Sequence, residues 1–549
     1  MSVVPPADGR SQSKRKRRIR IPRAVLAATA AFMGLTAVWS VVAPITEAPD
    51  EQMHLGMVLY LADGHPYPSY DEVHVQHGLI WLCREFSAST TACPRIIEFK
   101  YPVGPVRRHP IAEAPDKSHR LAWDDEGGDE PLQSINQMGQ HPPLYYSTMA
   151  AVLRAERAVT GGNWSLDREL ALLRLIDVLM VAPIPLLAWW AAKRFGLDDV
   201  TSLGAACVML GLPMLTHIGG ALNNDNLVAV FGAALIALLA GVVRGDRKRS
   251  TAIGVGAVLA AALLSKSLGA VFAPLVVLAY ALGWWNQRKD AERPAARSAV
   301  VPLAISTGVA LLLAGWWYVR VRVQTGQFAP TVESRSYNSK ATPPGFHPDL
   351  PDYLFRFLKL MNVRVWGSFG WHTVRIPGEL ALLMTALVVA AVAVALWPGR
   401  DQAGNGRLNR AFLLLPVAGL FLFVLARAWN LYSLTGKYPF IQGRYLLAGT
   451  AGLAVLIALG VRRVAHRGTA LAIAVVGGLL QLYSLLLCLR TWWGGPGLGP
   501  RGQLDALAAW SGWPGVAVAA IFVVALAAGT WFAVELILDL RRIETEDAT

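Results

Sequence analysis

Runs of about 18 to 24 apolar residues recur from one end of this chain to the other, each long enough to cross a hydrocarbon core of about 30 Å. No other feature restricts the fold as much. Inside lipid every backbone polar group must find its partner within the protein, so only helices and closed barrels span a membrane. A membrane barrel would show short segments of alternating polarity, and none occur. The expected class is therefore all-α, a polytopic bundle of about twelve spans. They read at 24–44, 171–193, 200–218, 226–243, 252–265, 268–285, 299–319, 379–397, 411–430, 444–461, 469–490 and 515–538. Composition agrees: 54% of the 549 residues are hydrophobic and 16% are charged.

The net charge of +14 raises nucleic acid as a partner, but its placement argues for a membrane surface. Residues 1–23 form a basic tail, Ser13-Lys14-Arg15-Lys16-Arg17-Arg18-Ile19-Arg20, that is expected to be disordered and cytoplasmic and runs straight into the first span. Short basic segments recur at 193–194, 244–249, 288–297, 400–410, 462–467 and 541–542. All fall on one side of a twelve-span topology, which puts both termini in the cytoplasm. The first run, Ala24 to Ala43, is too long for most signal peptides and reads as a retained anchor.

That topology gives a membrane domain over 24–540, a first extracytoplasmic loop at 46–168, a second at 320–378, and a cytoplasmic tail at 541–549. Within the first loop, Met53–Leu61 and Pro143–Val159 read as short helices lying along the membrane surface. Cys207 and Cys488 lie inside apolar runs as small hydrophobes. Cys83 and Cys93 share the first loop, where a disulfide and a pair of free thiols are both open.

The charged residues at span edges carry the functional signal, since a charge at membrane depth is costly unless wet or paired. Asp50 and Glu51 close the first span within Ala48-Pro49-Asp50-Glu51, and His54 follows three residues later. Asn223-Asn224-Asp225 opens the span at 226–243, Lys266 breaks 252–265 from 268–285, Arg427 lies near the end of 411–430, and Gln442-Gly443-Arg444-Tyr445 opens 444–461. In the topology above, all of them reach the outer face. Taken singly, each also has a structural explanation. Lys266 or Arg427 can snorkel to headgroups, and Asn223 to Asp225 can cap a helix. Arg174 and Asp177, three apart, can pair on one helix face. Trp366, Trp371, Trp492 and Trp493 can form an interfacial belt. A further stretch, Gln140-His141-Pro142-Pro143-Leu144-Tyr145-Tyr146, suits a helix entrance at an interface. No His-x-x-x-His spacing appears, so no metal ligands are assigned; a divalent cation at Asp50 or Glu51 is left open.

A carboxylate beside several cations at the outer leaflet suits a phosphorylated lipid as one reactant. Arg and Lys would hold the phosphate, and the carboxylate would act as general base on an acceptor hydroxyl. Transfer of a sugar from a polyprenyl phosphate to a cell-envelope acceptor fits, with inversion at the anomeric carbon.

The layout resembles the GT-C superfamily of integral-membrane glycosyltransferases, which use lipid-linked sugars and carry an acidic motif after the first span. More closely, Ala48-Pro49-Asp50-Glu51 with His54, then His141-Pro142-Pro143-Leu144-Tyr145-Tyr146, Asn224-Asp225, Lys266 and Gln442-Gly443-Arg444-Tyr445 look like the signatures of a bacterial family of predicted membrane proteins of unknown function. This resemblance spans residues 40–460. It implies that Asp50 is the catalytic base, with Glu51 as second choice or metal ligand. Lys266 and Arg444 would hold the lipid phosphate, and His54, His141, Tyr145, Asn224, Asp225 and Tyr445 would line the substrate site. No soluble domain is evident after the last span, where GT-C enzymes often have one. Two rival readings remain: a transporter or flippase of lipid-linked saccharides, and a non-catalytic partner in envelope assembly. Alternating access favours polar groups near mid-membrane, whereas these crowd one face.

Overall fold

Helix α1 (Arg23–Val42) starts behind Pro22 and is apolar on nearly every side, so protein surrounds most of it. The computed structural model describes residues 20–86, 109–288, 299–332, 342–398 and 406–548. After α1 come α2 (Glu51–Ala62), α3 (His77–Phe86), α4 (Pro143–Thr160), α5 (Leu166–Val181), α6 (Ile184–Phe195), α7 (Asp199–Leu210), α8 (Pro213–Gly219) and α9 (Asp225–Val243). The chain continues with α10 (Arg249–Ser265), α11 (Ala273–Arg288), α12 (Val300–Thr325), α13 (Leu350–Trp366), α14 (Gly378–Leu396) and α15 (Arg407–Thr435). It ends with α16 (Thr450–Ala465), α17 (Thr469–Trp493), α18 (Pro500–Trp510) and α19 (Gly515–Ala548). Two small antiparallel ladders stiffen the hydrophilic stretches: β1 (His74–Gln76) with β2 (Pro131–Ile135), and β3 (Ser368–Phe369) with β4 (Val374–Arg375).

The expected all-α, multi-pass architecture is what the chain adopts. Each of the twelve expected runs falls on helix, but among the described residues nine segments are long and apolar enough to span a membrane, or up to ten with one bent pair. The difference has local causes. The run at 200–218 is broken by 62° between α7 and α8, where Pro213 opens the second helix. Helix α10 has only 17 residues. The runs at 444–461 and 469–490 form one stretch, Gly443–Trp493, interrupted by a 3₁₀ turn at His466–Gly468. The last helix continues through the expected tail to Ala548. Most of the basic N-terminal tail and Cys93, hence the Cys83–Cys93 pairing, lie outside the described residues; Cys207 and Cys488 are free and buried.

Two surface assignments are corrected. Helix α2 does not rest on a surface with one face exposed: ten of its twelve residues are buried inside the protein. Apolar residues go all the way round it, which suits a packed core helix and not a half-immersed one. The tryptophans are also not a lipid-facing belt. Trp366, Trp492 and Trp493 are buried, and the indole N–H groups of Trp366, Trp371 and Trp493 donate to Thr385, to the carbonyl of Thr46 and to the carbonyl of Val42.

Small residues let the helices close on one another, as in membrane interfaces generally. Helix α1 runs against α19, where a side chain on Gly34 would come within 2.8 Å of the Ala525 backbone, and Arg23 pairs with Glu535 at 3.2 Å. Gly232 on α9 presses against the carbonyl of Ala448 so closely that no Cβ fits. That contact seats the 3₁₀ segment Gly443–Gly449, the carrier of Arg444, against α9. Gly232→Val should push the two elements apart at a cost of about 1–3 kcal/mol. The thermal midpoint of the purified protein in detergent should fall accordingly, and an unchanged midpoint would contradict this packing.

Candidate functional site

The link between α1 and α2 is the starting point. Asp50 sits at the N-cap of α2 with φ 64°, in the left-handed region. A non-glycine residue there costs about 1–2 kcal/mol, least for Asp and Asn. What holds the turn is the next residue. Glu51 is fully buried and takes a two-pronged bond from Arg174 of α5, Nε to Oε1 at 2.7 Å and Nη2 to Oε2 at 2.6 Å. Arg174 also donates from Nη1 to the carbonyls of Ser40 and Ala43, and from Nη2 to that of Pro44. All five of its N–H groups are thereby used. The carbonyls of Ser40 and Ala43 belong to the end of α1, so one guanidinium fastens α1, α2 and α5. The backbone N–H of Leu222 adds a third donor to Glu51, at 3.1 Å.

This arrangement corrects one expectation. Arg174 pairs with Glu51 and not with Asp177, because the rigid guanidinium fork meets a carboxylate head-on across the helices. Asp177 instead accepts the Tyr145 hydroxyl at 2.7 Å. Both oxygens of Glu51 accept hydrogen bonds inside the protein.

Asp50 points the other way. Its Oδ2 meets Arg444 Nη2 at 2.5 Å, its Oδ1 has only Gln137 Nε2 at 3.4 Å, and its side chain is 18% exposed. Arg444 continues to the carbonyl of Pro49 at 3.0 Å and, through Nε, to Asp225 Oδ2 at 3.3 Å. Asp225 Oδ1 in turn receives Lys266 Nζ at 2.6 Å. Four side chains thus form a chain of alternating charge, Asp50, Arg444, Asp225 and Lys266. The two inner members are buried and the two ends are the more exposed. Tyr445 lies under both cations, its ring centroid 4.8 Å from Lys266 Nζ and 5.4 Å from the Arg444 guanidinium carbon.

Each charge is delivered by an interruption in a helix. Asp225 is the first residue of α9, favourable for an anion, and Asn223 Oδ1 caps its N–H at 2.9 Å. Lys266 is an extended residue between α10 and the 3₁₀ turn Ser267–Phe272. Arg444 stands on the 3₁₀ segment that precedes α16, after Gly443, where the carbonyl of Arg364 leaves no room for a Cβ. Asn224 is fully buried beside them, and neither of its amide atoms has a protein partner.

The histidines form a separate wall. His54, one turn along α2 from Asp50, bonds the Tyr146 hydroxyl through Nδ1 at 2.8 Å. The His54 and His141 rings lie near-parallel to Tyr146, with centroids 5.9 and 6.4 Å away. Burial, reinforced by the nearby charges of Lys266 and Arg444, holds both imidazoles well below their ordinary pKa of 6.5. Of the expected residues, Asp50, Asp225, Lys266, Arg444 and Tyr445 therefore come together directly. His54, His141 and Tyr145 stand on neighbouring positions of α2 and at the start of α4. Arg427 reaches Thr331, in the stretch after α12, at 3.3 Å. Gln137 and Tyr146 belong to the site and were not singled out. Tyr146 lay in the conspicuous His141–Tyr146 stretch, whereas nothing in the sequence around Gln137 marks it.

Among the described residues no group of three or more His, Cys, Asp or Glu side chains is placed to hold a metal ion. Asp50 and Asp225, the two carboxylates at the centre, are separated by the Arg444 guanidinium, so these residues do not fit a divalent cation as arranged.

One family model, described as a predicted membrane protein, DUF2142, matches residues 33–453. The chain belongs to the DUF2142 family. That match takes in every member of the charge chain and both histidines. The structure of this DUF2142 protein is similar to that of ArnT from Cupriavidus metallidurans bound to undecaprenyl phosphate, with 14% identity, 92% of this chain and 76% of that chain covered, and a TM-score of 0.43. ArnT in the apo state gives 16% identity, coverages of 72% and 67%, and a TM-score of 0.37. The Archaeoglobus fulgidus oligosaccharyltransferase in the apo form gives 13% identity, coverages of 68% and 48%, and a TM-score of 0.34. No curated protein sequence matches the chain.

Two outcomes follow from the geometry. Arg174→Met leaves Glu51 buried and unpaired, which should cost about 3–5 kcal/mol; denaturant unfolding in detergent measures it, and wild-type stability would contradict the fastening role. The histidines set an acid limit. Unfolding frees them to take up protons that the folded protein excludes, so stability should fall as pH drops below about 6.5, by up to about 1.4 kcal/mol per pH unit for each. His141→Phe should flatten that acid limb in thermal unfolding between pH 7 and 5.

Proposed function

We propose that the protein is a membrane glycosyltransferase that moves a sugar from a polyprenyl-phosphate donor to a cell-envelope acceptor at the outer face. The observation that carries the reading is Asp50. It is a partly exposed carboxylate on a left-handed backbone, with one lightly held oxygen, at the end of a charge chain that contains two cations. The GT-C resemblance of the motifs around Asp50, Asp225, Lys266 and Arg444 supports the same assignment.

In this reading an acceptor hydroxyl gives its proton to Asp50 Oδ1 as its oxygen attacks the anomeric carbon of the donor. The bond from that carbon to the lipid phosphate oxygen breaks, and its electron pair stays on the phosphate. Lys266 and Arg444 stabilise the charge that grows there. Attack and departure on opposite faces invert the anomeric centre. His54, His141 and Tyr146 supply an aromatic wall to the sugar, and Asn224 offers an unused amide to its hydroxyls. Glu51 acts only through Arg174, by holding the turn that presents Asp50. In the same reading both termini are cytoplasmic. Arg23 and Glu535, near the starts and ends of the first and last spans, meet, which supports placing them on one side.

The test uses membranes holding wild type or Asp50→Asn at matched levels, given labelled polyprenyl-phosphate sugars and an envelope extract as acceptor. Label should pass from lipid to acceptor in wild type and fall by about 10²–10⁴-fold in the variant. Equal transfer by both would remove Asp50 as base. Labelled lipid crossing the bilayer with no donor consumed would establish transport instead.

A further inference from the structure

Away from the charge chain, the first outer loop and the turn before α19 enclose a polar cavity of about 210 Å³. Three cations line it, Lys117, Arg120 and Arg168, together with Ser118, Asn163 and Trp164. Their charges are not equally satisfied. Arg120 is neutralised: it pairs with buried Asp167 at 2.5 Å, and the carbonyls of Ser511, Ala509 and Pro115 take its other donors. Lys117 donates only to carbonyls, those of Ala508 at 2.9 Å and Trp513 at 2.5 Å, which supply no charge and leave one ammonium hydrogen over. Arg168 sits over the Trp164 ring, its guanidinium carbon 4.0 Å from the centroid, and its buried Nε has no acceptor. Asp116, next to Lys117 in the chain, accepts from the backbone N–H and hydroxyl of Ser118 and meets His119 at 3.5 Å.

A polar cavity with an arginine over an aromatic ring and, beside it, an ammonium whose nearby carboxylate, Asp167, is shared with Arg120 holds more positive than negative charge and suits an anion. We propose that this cavity binds a phosphate ester. The space is larger than a phosphoryl group needs, so the first carbons of the ester enter as well. Arg168 stands on α5 six residues before Arg174, about 9 Å along the axis. The ester therefore docks at the head of the helix whose next turns fasten Glu51. The inference does not depend on the proposed transfer reaction.

The ester can come from a lipid headgroup or from a soluble molecule, and one experiment separates the two. The purified full chain in neutral detergent is titrated with phosphatidylglycerol, with glycerol 1-phosphate and with diacylglycerol as an uncharged control, and binding is followed by native mass spectrometry. Wild type should bind at least one phosphate form in preference to diacylglycerol. Binding of phosphatidylglycerol alone assigns a lipid headgroup, and binding of both assigns the ester itself. Arg168→Gln should weaken that binding tenfold or more. Asn163→Trp, which blocks the cavity while keeping all three cations, should do the same and decides the matter if Arg168→Gln fails to fold. Absence of phosphate binding by wild type, or equal binding by wild type and Asn163→Trp, would overturn the proposal.

Discussion

The Arg174–Glu51 pair is the interaction on which the rest of this site depends. Two charges buried among helices are expensive to desolvate, and the cost is offset only when every donor and lone pair finds a partner. Here the guanidinium spends its remaining donors on carbonyls at the end of α1, groups that any helix terminus leaves orphaned. The same contact therefore closes one helix, starts another and pins both to α5. Asp50 can occupy a left-handed conformation one residue away because its neighbour is immobile.

A second electrostatic arrangement is laid on this base. Along Asp50, Arg444, Asp225 and Lys266 each inner charge is shared by two opposite ones, so neither Arg444 nor Lys266 offers a bare cation to solvent. In the proposed reading an incoming phosphate would compete with Asp225 for both. Such a site would favour ligands with at least as much charge as the carboxylate they displace, and would discriminate against neutral lipids that merely fit the bilayer.

The sequence reveals the members of this site better than their pairing. Asp50, Asp225, Lys266 and Arg444 stand out because charge at a span edge is rare and costly, a signal that needs no tertiary knowledge. Partner choice is different. Arg174 and Asp177 share a helix face three residues apart, yet Arg174 bonds a glutamate far away in sequence. Local spacing shows which contacts are available and is silent on a better acceptor brought in by folding. Helix α2 teaches the complementary lesson. Its position after the first span suggested a surface element, but its apolar residues leave no polar side to face water, and that all-round pattern is itself the mark of burial. Gln137 and the unpartnered amide of Asn224 had no such mark, since an uncharged polar residue in a loop or cap is ordinary.

Asp225, Lys266 and Arg444 each stand where a helix stops or starts, and their ion pairs join those joints to one another at a single face. The same helices are tied again at their opposite ends. Arg194 of α6 meets Asp246, just past α9, at 2.8 Å, Arg462 of α16 meets Asp198 ahead of α7 at 3.2 Å, and Asn286 of α11 donates to Asn409 of α15 at 2.8 Å. Held at both ends, the helices fix the spacing of the charged rim through the whole bundle, so the distances among Asp50, Arg444, Asp225 and Lys266 do not rest on their own attraction alone.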